Sequence, residues 1–193
     1  MERFSYFREH SGKIYSDNFK KWFGDWEKGN DHSIVVDDNG YPMVVFHGTM
    51  SDEFDTFVTD KLNWVTTEVG YASYYGEIYS LYANVRNPLD IRDIELGGDW
   101  DETKPLLAER LGISEEELDD PSWWNDEGDS EVTWAHTNSE GMVNYLKEYG
   151  YDALLTSEGS ADAYGVLYSR QLKSIDNNGS FGSDEDNIYE GQD

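Results

Sequence analysis

Residues 35–49 read Val-Val-Asp-Asp-Asn-Gly-Tyr-Pro-Met-Val-Val-Phe-His-Gly-Thr. The Asp37-Asp38-Asn39-Gly40 quartet is a strong turn signal. It separates a short expected strand, 33–36, from a second one, Met43 to Phe46. Pro42 is tolerable there because it falls at the start of the second strand. His47-Gly48-Thr49 closes that apolar run, as the ligand end of a strand would. Taken alone, the tripeptide reads equally well as a capped strand end with a surface histidine.

Working outward, Phe19, Trp22, Phe23 and Trp26 recur at three- and four-residue spacing. That spacing puts them on one face of a helix within residues 1–31, and the plain reading of such a stripe is core packing. Residues 62–66 read as a strand, and 69–75 as a helix with Thr67 as its N-cap. Residues 79–85 alternate with period two and end at Asn87-Pro88, as a strand does. A helix is expected over 138–148, capped by Asn138-Ser139-Glu140 and ended by Gly150. Strands are expected over 151–156 and 164–168. The chain from Asp176 is rich in Gly, Asn and Asp and is expected to fray.

Residues 92–135 differ in character. An acidic stretch is interleaved with Trp100, Trp123, Trp124 and Trp134. One helix is expected over 106–111, and another starting at Ser114 with Glu115-Glu116-Glu117 in its first turn. The segment reads as an acidic insertion. Most such runs are solvated faces, but tryptophans among the acids also fit a partner surface or a lid.

The 193 residues match one domain with a sizeable core. Seven Trp and 14 Tyr favour a folded chain over a disordered one. The absence of cysteine excludes disulfides and thiolate chemistry. Four histidines (His10, His32, His47, His136) show no metal-ligand spacing, so no metal is expected. No apolar run is long enough to span a bilayer and the first residues are too polar for a signal peptide, so a cytoplasmic location is the expectation. There is neither a phosphate-binding Gly-rich loop nor a dinucleotide fingerprint. Lys plus Arg number 14 against 41 Asp plus Glu, a net charge of −27. Such a field repels phosphate backbones and anionic lipid. It fits plain solubility, docking of a basic partner, or mimicry of nucleic-acid charge. A short basic strip, Lys13, Lys20 and Lys21, is more simply a solvated helix face.

Several segments in order carry a family resemblance: FKKWFGDW (19–26), the opening 35–49 stretch, Ala72 to Tyr75-Gly76, RNPLDI (86–91), LKEYGYDALL (146–155) and AYGVLYSRQLKSIDNNGSF (163–181). Together they resemble the ADP-ribosyltransferase domains of phage and mobile-element polyvalent proteins, distant relatives of diphtheria toxin and the poly(ADP-ribose) polymerases. The resemblance implies an α+β fold: a split β-sandwich of two small antiparallel sheets, with flanking helices and the acidic insertion at about 92–135. It implies one domain over 1–183, followed by a flexible acidic tail over 184–193.

It also implies a chemistry. These domains cleave the nicotinamide–ribose bond of NAD+, developing positive charge on the ribose. The site must hold the carboxamide, sandwich the ring and stabilise the cation. By the resemblance, His47 binds the adenosine-side ribose and Gly48 offers backbone groups to the carboxamide. Thr49 adds a hydroxyl near the same ribose. The ring sandwich falls on Trp64 and Tyr75, with Trp64 replacing the family's tyrosine; an indole can still stack on a pyridinium. Tyr71 and Tyr74 lie close enough for the register to slip. The catalytic glutamate of the family falls on Ala163. The register there is firm, because Tyr164, Val166, Gln171, Lys173 and Ser174 all match. Asp162 points to the opposite side of a strand, and Glu158 and Asp152 have no motif support.

Ala163 has two explanations: an inactivating substitution introduced to silence a toxic enzyme, or natural loss of catalysis. The leading expectation is a mono-ADP-ribosyltransferase toxin or effector using NAD+ and no metal. Its acceptor would be a protein or nucleic acid in a bacterial host, with catalysis impaired by Ala163. The alternative is a catalytically dead transferase fold kept as an acidic module, binding a basic protein or mimicking nucleic acid.

Overall fold

The computed structural model describes residues 12–29, 31–51, 53–96, 99–124 and 132–190. In chain order its elements are α1 (Asp17–Phe23), β1 (Val45–Thr49), β2 (Asn63–Thr66), α2 (Val69–Ala72), β3 (Glu77–Ala83), β4 (Pro88–Asp90), α3 (Trp100–Leu111), α4 (Val132–Thr137), α5 (Glu140–Glu148), β5 (Ala153–Glu158), β6 (Ala161–Val166) and β7 (Leu172–Ser174). Among the described residues the fold is mixed α+β with seven strands, and the chain divides into two compact units. The first holds residues 1–58, 65–86 and 168–193; the second holds 59–64 and 87–167.

In the first unit, Ser16 starts α1 by accepting a hydrogen bond from the Phe19 N–H, the orphan donor an N-cap satisfies. The four aromatics turn inward as expected, but α1 ends at Gly24 and Trp26 belongs to a separate 3-10 turn, so they do not share one helix. Phe19, Trp22, Phe23 and Trp26 are buried with Ile14, Tyr82, Ile175 and Phe181. Phe19 meets Tyr82 and Phe181 edge-on at 5.1 and 5.0 Å between centroids, the geometry ring quadrupoles favour. Residues 1–11 of the expected helical segment lie outside the described residues. The basic strip is partly spent internally. Lys13 Nζ donates to the Ile175 and Asn177 carbonyls, and Lys20 pairs with Glu27.

The turn at 37–40 forms: Asp37 Oδ1 accepts from the N–H groups of Asn39 and Tyr41, and Gly40 takes φ 82. The strand expected over 33–36 shrinks to a single bridge, Val36 to Pro42. Ser33 explains the loss, because its hydroxyl donates to the Ala83 carbonyl and accepts from the Val35 and Val85 N–H groups. A side chain that satisfies backbone groups competes with a ladder. β1 starts later than expected and includes His47-Gly48-Thr49. It pairs antiparallel with β3 from Val45–Leu81 to Thr49–Glu77, and Phe46 pairs with Thr66 of β2. β3 pairs in turn with β7.

The tail departs from expectation. Ile188 is fully buried, its N–H donates to Asp55 and its carbonyl accepts from Ser174. Lys173, also fully buried, donates to the Glu185 and Asn187 carbonyls. Residues 184–190 are thus tied into the first unit. Spacing could not show this, because the anchors are one isolated isoleucine and backbone carbonyls.

In the second unit, β5 and β6 form a hairpin in register from Ala153–Val166 to Glu158–Ala161. Gly159, φ 64, starts its two-residue turn. β4 runs parallel to β5, correcting the expectation of purely antiparallel sheets. The reason is the connection: β4 reaches β5 through α3, α4 and α5, and parallel neighbours need such a crossover. α3 begins at Trp100, not 106, and runs through Pro105. The helix expected from Ser114 is only a 3-10 turn at Glu117–Asp119. Ser139 caps α5 as expected, accepting from Met142 N–H. The tryptophans of the acidic segment are largely used inside the unit. Trp123 is buried, and Trp100 stacks on buried His136 with 3.9 Å between centroids. Trp124 meets the same ring edge-on and stays 42% exposed. The most acidic run, 125–131, and the Trp134 side chain lie outside the described residues.

Candidate functional site

Within the first unit, two motifs distant in sequence meet. A methyl group on Gly48 would stand 1.8 Å from the Ala72 carbonyl oxygen and 3.1 Å from Tyr75 Cβ. A methyl group on Gly76 would stand 2.4 Å from the Thr49 carbonyl oxygen. Only glycine lets the Ala72–Gly76 segment lie this close to β1, and Gly76 also takes φ 121. The bare Cα of Gly48 therefore packs against the end of α2. Tyr75 lies in the same segment and is 57% exposed. α2 starts after Glu68, not Thr67, and no side chain caps it.

His47 pairs across the sheet with Tyr79. Its ring meets Phe57 edge-on at 4.9 Å and Phe54 at 6.1 Å, and Phe54 stacks on Tyr79 at 4.6 Å. Those aromatics, which sequence reasoning missed, fix the imidazole while leaving it half-buried. The Thr49 hydroxyl accepts from Ser51 N–H at 3.1 Å and keeps its own proton to donate. Beyond Phe54 and Tyr79 opens a cleft of about 610 Å³ whose lining includes Glu53, Asp55, Glu77 and Asp176. Four carboxylates disfavour a pyrophosphate and favour a cationic group.

Within the second unit, Trp64 carries the other expected stacking ring. Its indole Nε1 donates to Asn138 Oδ1 at 2.5 Å. A methyl group on Gly165 would stand 3.1 Å from the ring carbons Cζ2 and Cη2, so the indole edge rests on that glycine. Neither Asn138 nor Gly165 carried a signal for this role in the sequence; Gly165 sits in the unspecified place between Tyr164 and Val166. Ala163 lies on β6 opposite Thr156, and is buried. Alternation along β6 puts Ala161, Ala163 and Gly165 on one face. Trp64 touches that same face through Gly165. Asp162 is on the other face, where Arg92 binds it at 3.3 Å and Asp90 at 2.7 Å. Asp152 accepts from Asn87 N–H. Both acids are committed to structure. Burial pushes the Tyr164 hydroxyl up to about 12, so it stays protonated.

Among the described residues no group of His, Asp and Glu is arranged to hold a metal ion, and no helix is long and apolar enough to cross a membrane.

No curated protein matches the sequence. Among solved structures, a crystal structure of an anti-CRISPR protein aligns with 14% identity and a TM-score of 0.37, covering 67% of this chain and 91% of that one. A family model described as ADP-ribosyltransferase in polyvalent proteins matches residues 37–181, the span that contains both glycine contacts, Trp64 and the Ala163 strand. The chain therefore belongs to the family of ADP-ribosyltransferase domains in polyvalent proteins.

Proposed function

We propose that this chain is a NAD+-dependent mono-ADP-ribosyltransferase domain of a toxin or effector, acting on a macromolecular acceptor and slowed by the alanine at 163. The family match over residues 37–181 carries this reading. In the first unit, His47 and Thr49 serve the adenosine-side ribose, and the β1 backbone at Gly48 serves the carboxamide. Tyr75 offers its exposed ring to the nicotinamide. In the second unit, Trp64 offers its indole, held in one orientation by Asn138 and Gly165. Ala163 fills the glutamate slot with a methyl group. A methyl cannot face a developing ribose cation, and loss of one aimed electrostatic group costs on the order of 10²–10³ in rate.

The test is Ala163→Glu, assayed for nicotinamide release and for modification of lysate components. The reading expects a rise of at least tenfold; a folded variant with no gain would overturn it. A second reading, an acidic module for a basic partner, is favoured by the net charge of −27 together with Ala163. It expects no NAD+ binding and capture of a basic protein.

A further inference from the structure

One carboxylate stands on the face that lacks one. Residues paired across antiparallel strands project to the same side, as do residues two apart along a strand. The register Thr156–Ala163 and Glu158–Ala161 therefore places Glu158, Thr156, Ala161 and Ala163 on a single face of the hairpin. Trp64 reaches that face through Gly165. Glu158 is the diagonal neighbour of Ala163. Such neighbours lie roughly 7–8 Å apart, within reach of a long side chain. The glutamate arm is long enough to reach towards the buried methyl of Ala163 from the half-buried end of the hairpin.

Among the acids near Ala163, Glu158 differs from Asp162 and Asp152. Asp162 is held by Arg92 on the opposite face, and Asp152 accepts the Asn87 N–H. Burial alone holds the Glu158 carboxyl above its usual range, and no neighbouring charge or hydrogen bond contributes among the described residues. A half-buried carboxylate left without a cationic partner is poised to respond to a cation brought to it.

We propose that Glu158 supplies to the ribose of NAD+ the carboxylate that position 163 lacks. This rests on the transferase reading above. The carboxylate accepts a hydrogen bond from the hydroxyl next to the reacting carbon and faces the charge that develops there. The bond from that carbon to the nicotinamide nitrogen breaks, and neutral nicotinamide leaves with the electron pair. Water or the acceptor nucleophile then bonds to the carbon and releases one proton. Glu158 is neither consumed nor oxidised.

The experiment measures nicotinamide release and NAD+ affinity for the unaltered chain, for Glu158→Gln, and for Glu158→Gln combined with Ala163→Glu. The expected result is slow release by the unaltered chain, with an acid limb above that of an ordinary glutamate. Glu158→Gln lowers release about tenfold to a hundredfold while NAD+ affinity stays within twofold, and the combined variant recovers it. Restored activity in the combined variant would not follow if Glu158 merely shaped the hairpin. Equal release by the unaltered chain and Glu158→Gln would overturn the assignment while leaving the NAD+ reading intact. NAD+ binding with no release by the unaltered chain would do the same. An unaltered chain that binds no NAD+ would overturn the transferase reading and this inference together.

Discussion

Gly48→Ala adds one methyl group at the meeting of β1 and α2. Gly48 has no positive φ, so the backbone accepts alanine and the effect is steric alone. The new Cβ would lie 1.8 Å from the Ala72 carbonyl oxygen and 2.7 Å from its carbon. Ordinary carbon–oxygen contacts are about 3.3–3.6 Å, so roughly 1.5 Å of separation must open. Both clashing atoms are backbone, so no rotamer change can relieve them; α2 or β1 must move. Forced overpacking typically costs about 1–3 kcal/mol, and a backbone clash of this depth belongs at the upper end, about 3 kcal/mol. Urea denaturation reads this directly. With a slope of about 2 kcal/mol per molar, the midpoint should fall by about 1.5 M. NAD+ affinity should fall too, because Tyr75 shares the displaced segment. A midpoint within 0.3 M of the unaltered chain, with unchanged affinity, would refute the reasoning that glycine is required by the α2 contact.

Three further outcomes are expected. Trp64→Ala should weaken NAD+ binding by about 1–3 kcal/mol, the loss of a stacking partner, and calorimetry showing unchanged affinity would place the ring elsewhere. Burial lowers the Lys173 ammonium from 10.5 to about 8. Protonation therefore costs more in the folded state, so stability should rise as pH climbs from 8 towards 10.5 and then level, a rise on the order of 2–3 kcal/mol; melting curves of Lys173→Met, compared across that range, should lack this rise. Ile188→Ala should destabilise by about 2–4 kcal/mol, as deletion at a fully buried site does; a melting temperature equal to that of the unaltered chain would show that the tail is not anchored.

Periodic features were legible from the chain alone. The Phe19–Phe23 part of the aromatic stripe, the 37–40 turn, the Ser139 cap and the β3 alternation each follow from local spacing or local capping chemistry, and the structure forms each of them. What escaped depends on atoms brought together from far apart. Ser33 gives its hydroxyl to Ala83, which removes a strand that β-branched residues alone would support. β4 runs parallel to β5 because the helices between them carry the chain back across, and local spacing does not reveal that return. α3 starts six residues before the helix expected from 106 and contains Pro105. At the candidate site, Ala163 lies on a strand, β6, that begins before the one expected at 164. Asn138 and Gly165 were invisible as supports for Trp64, since Asn138 is 74 residues away. The Ala72 carbonyl packed against Gly48 was equally invisible, because the two are brought together only by the fold.

The most direct test of the account is calorimetric titration of NAD+ into the unaltered chain. The account predicts saturable binding of one NAD+ per chain, weakened by Trp64→Ala and by Gly48→Ala. A flat titration with a folded protein would contradict it, and would point to a transferase fold kept for its acidic surface.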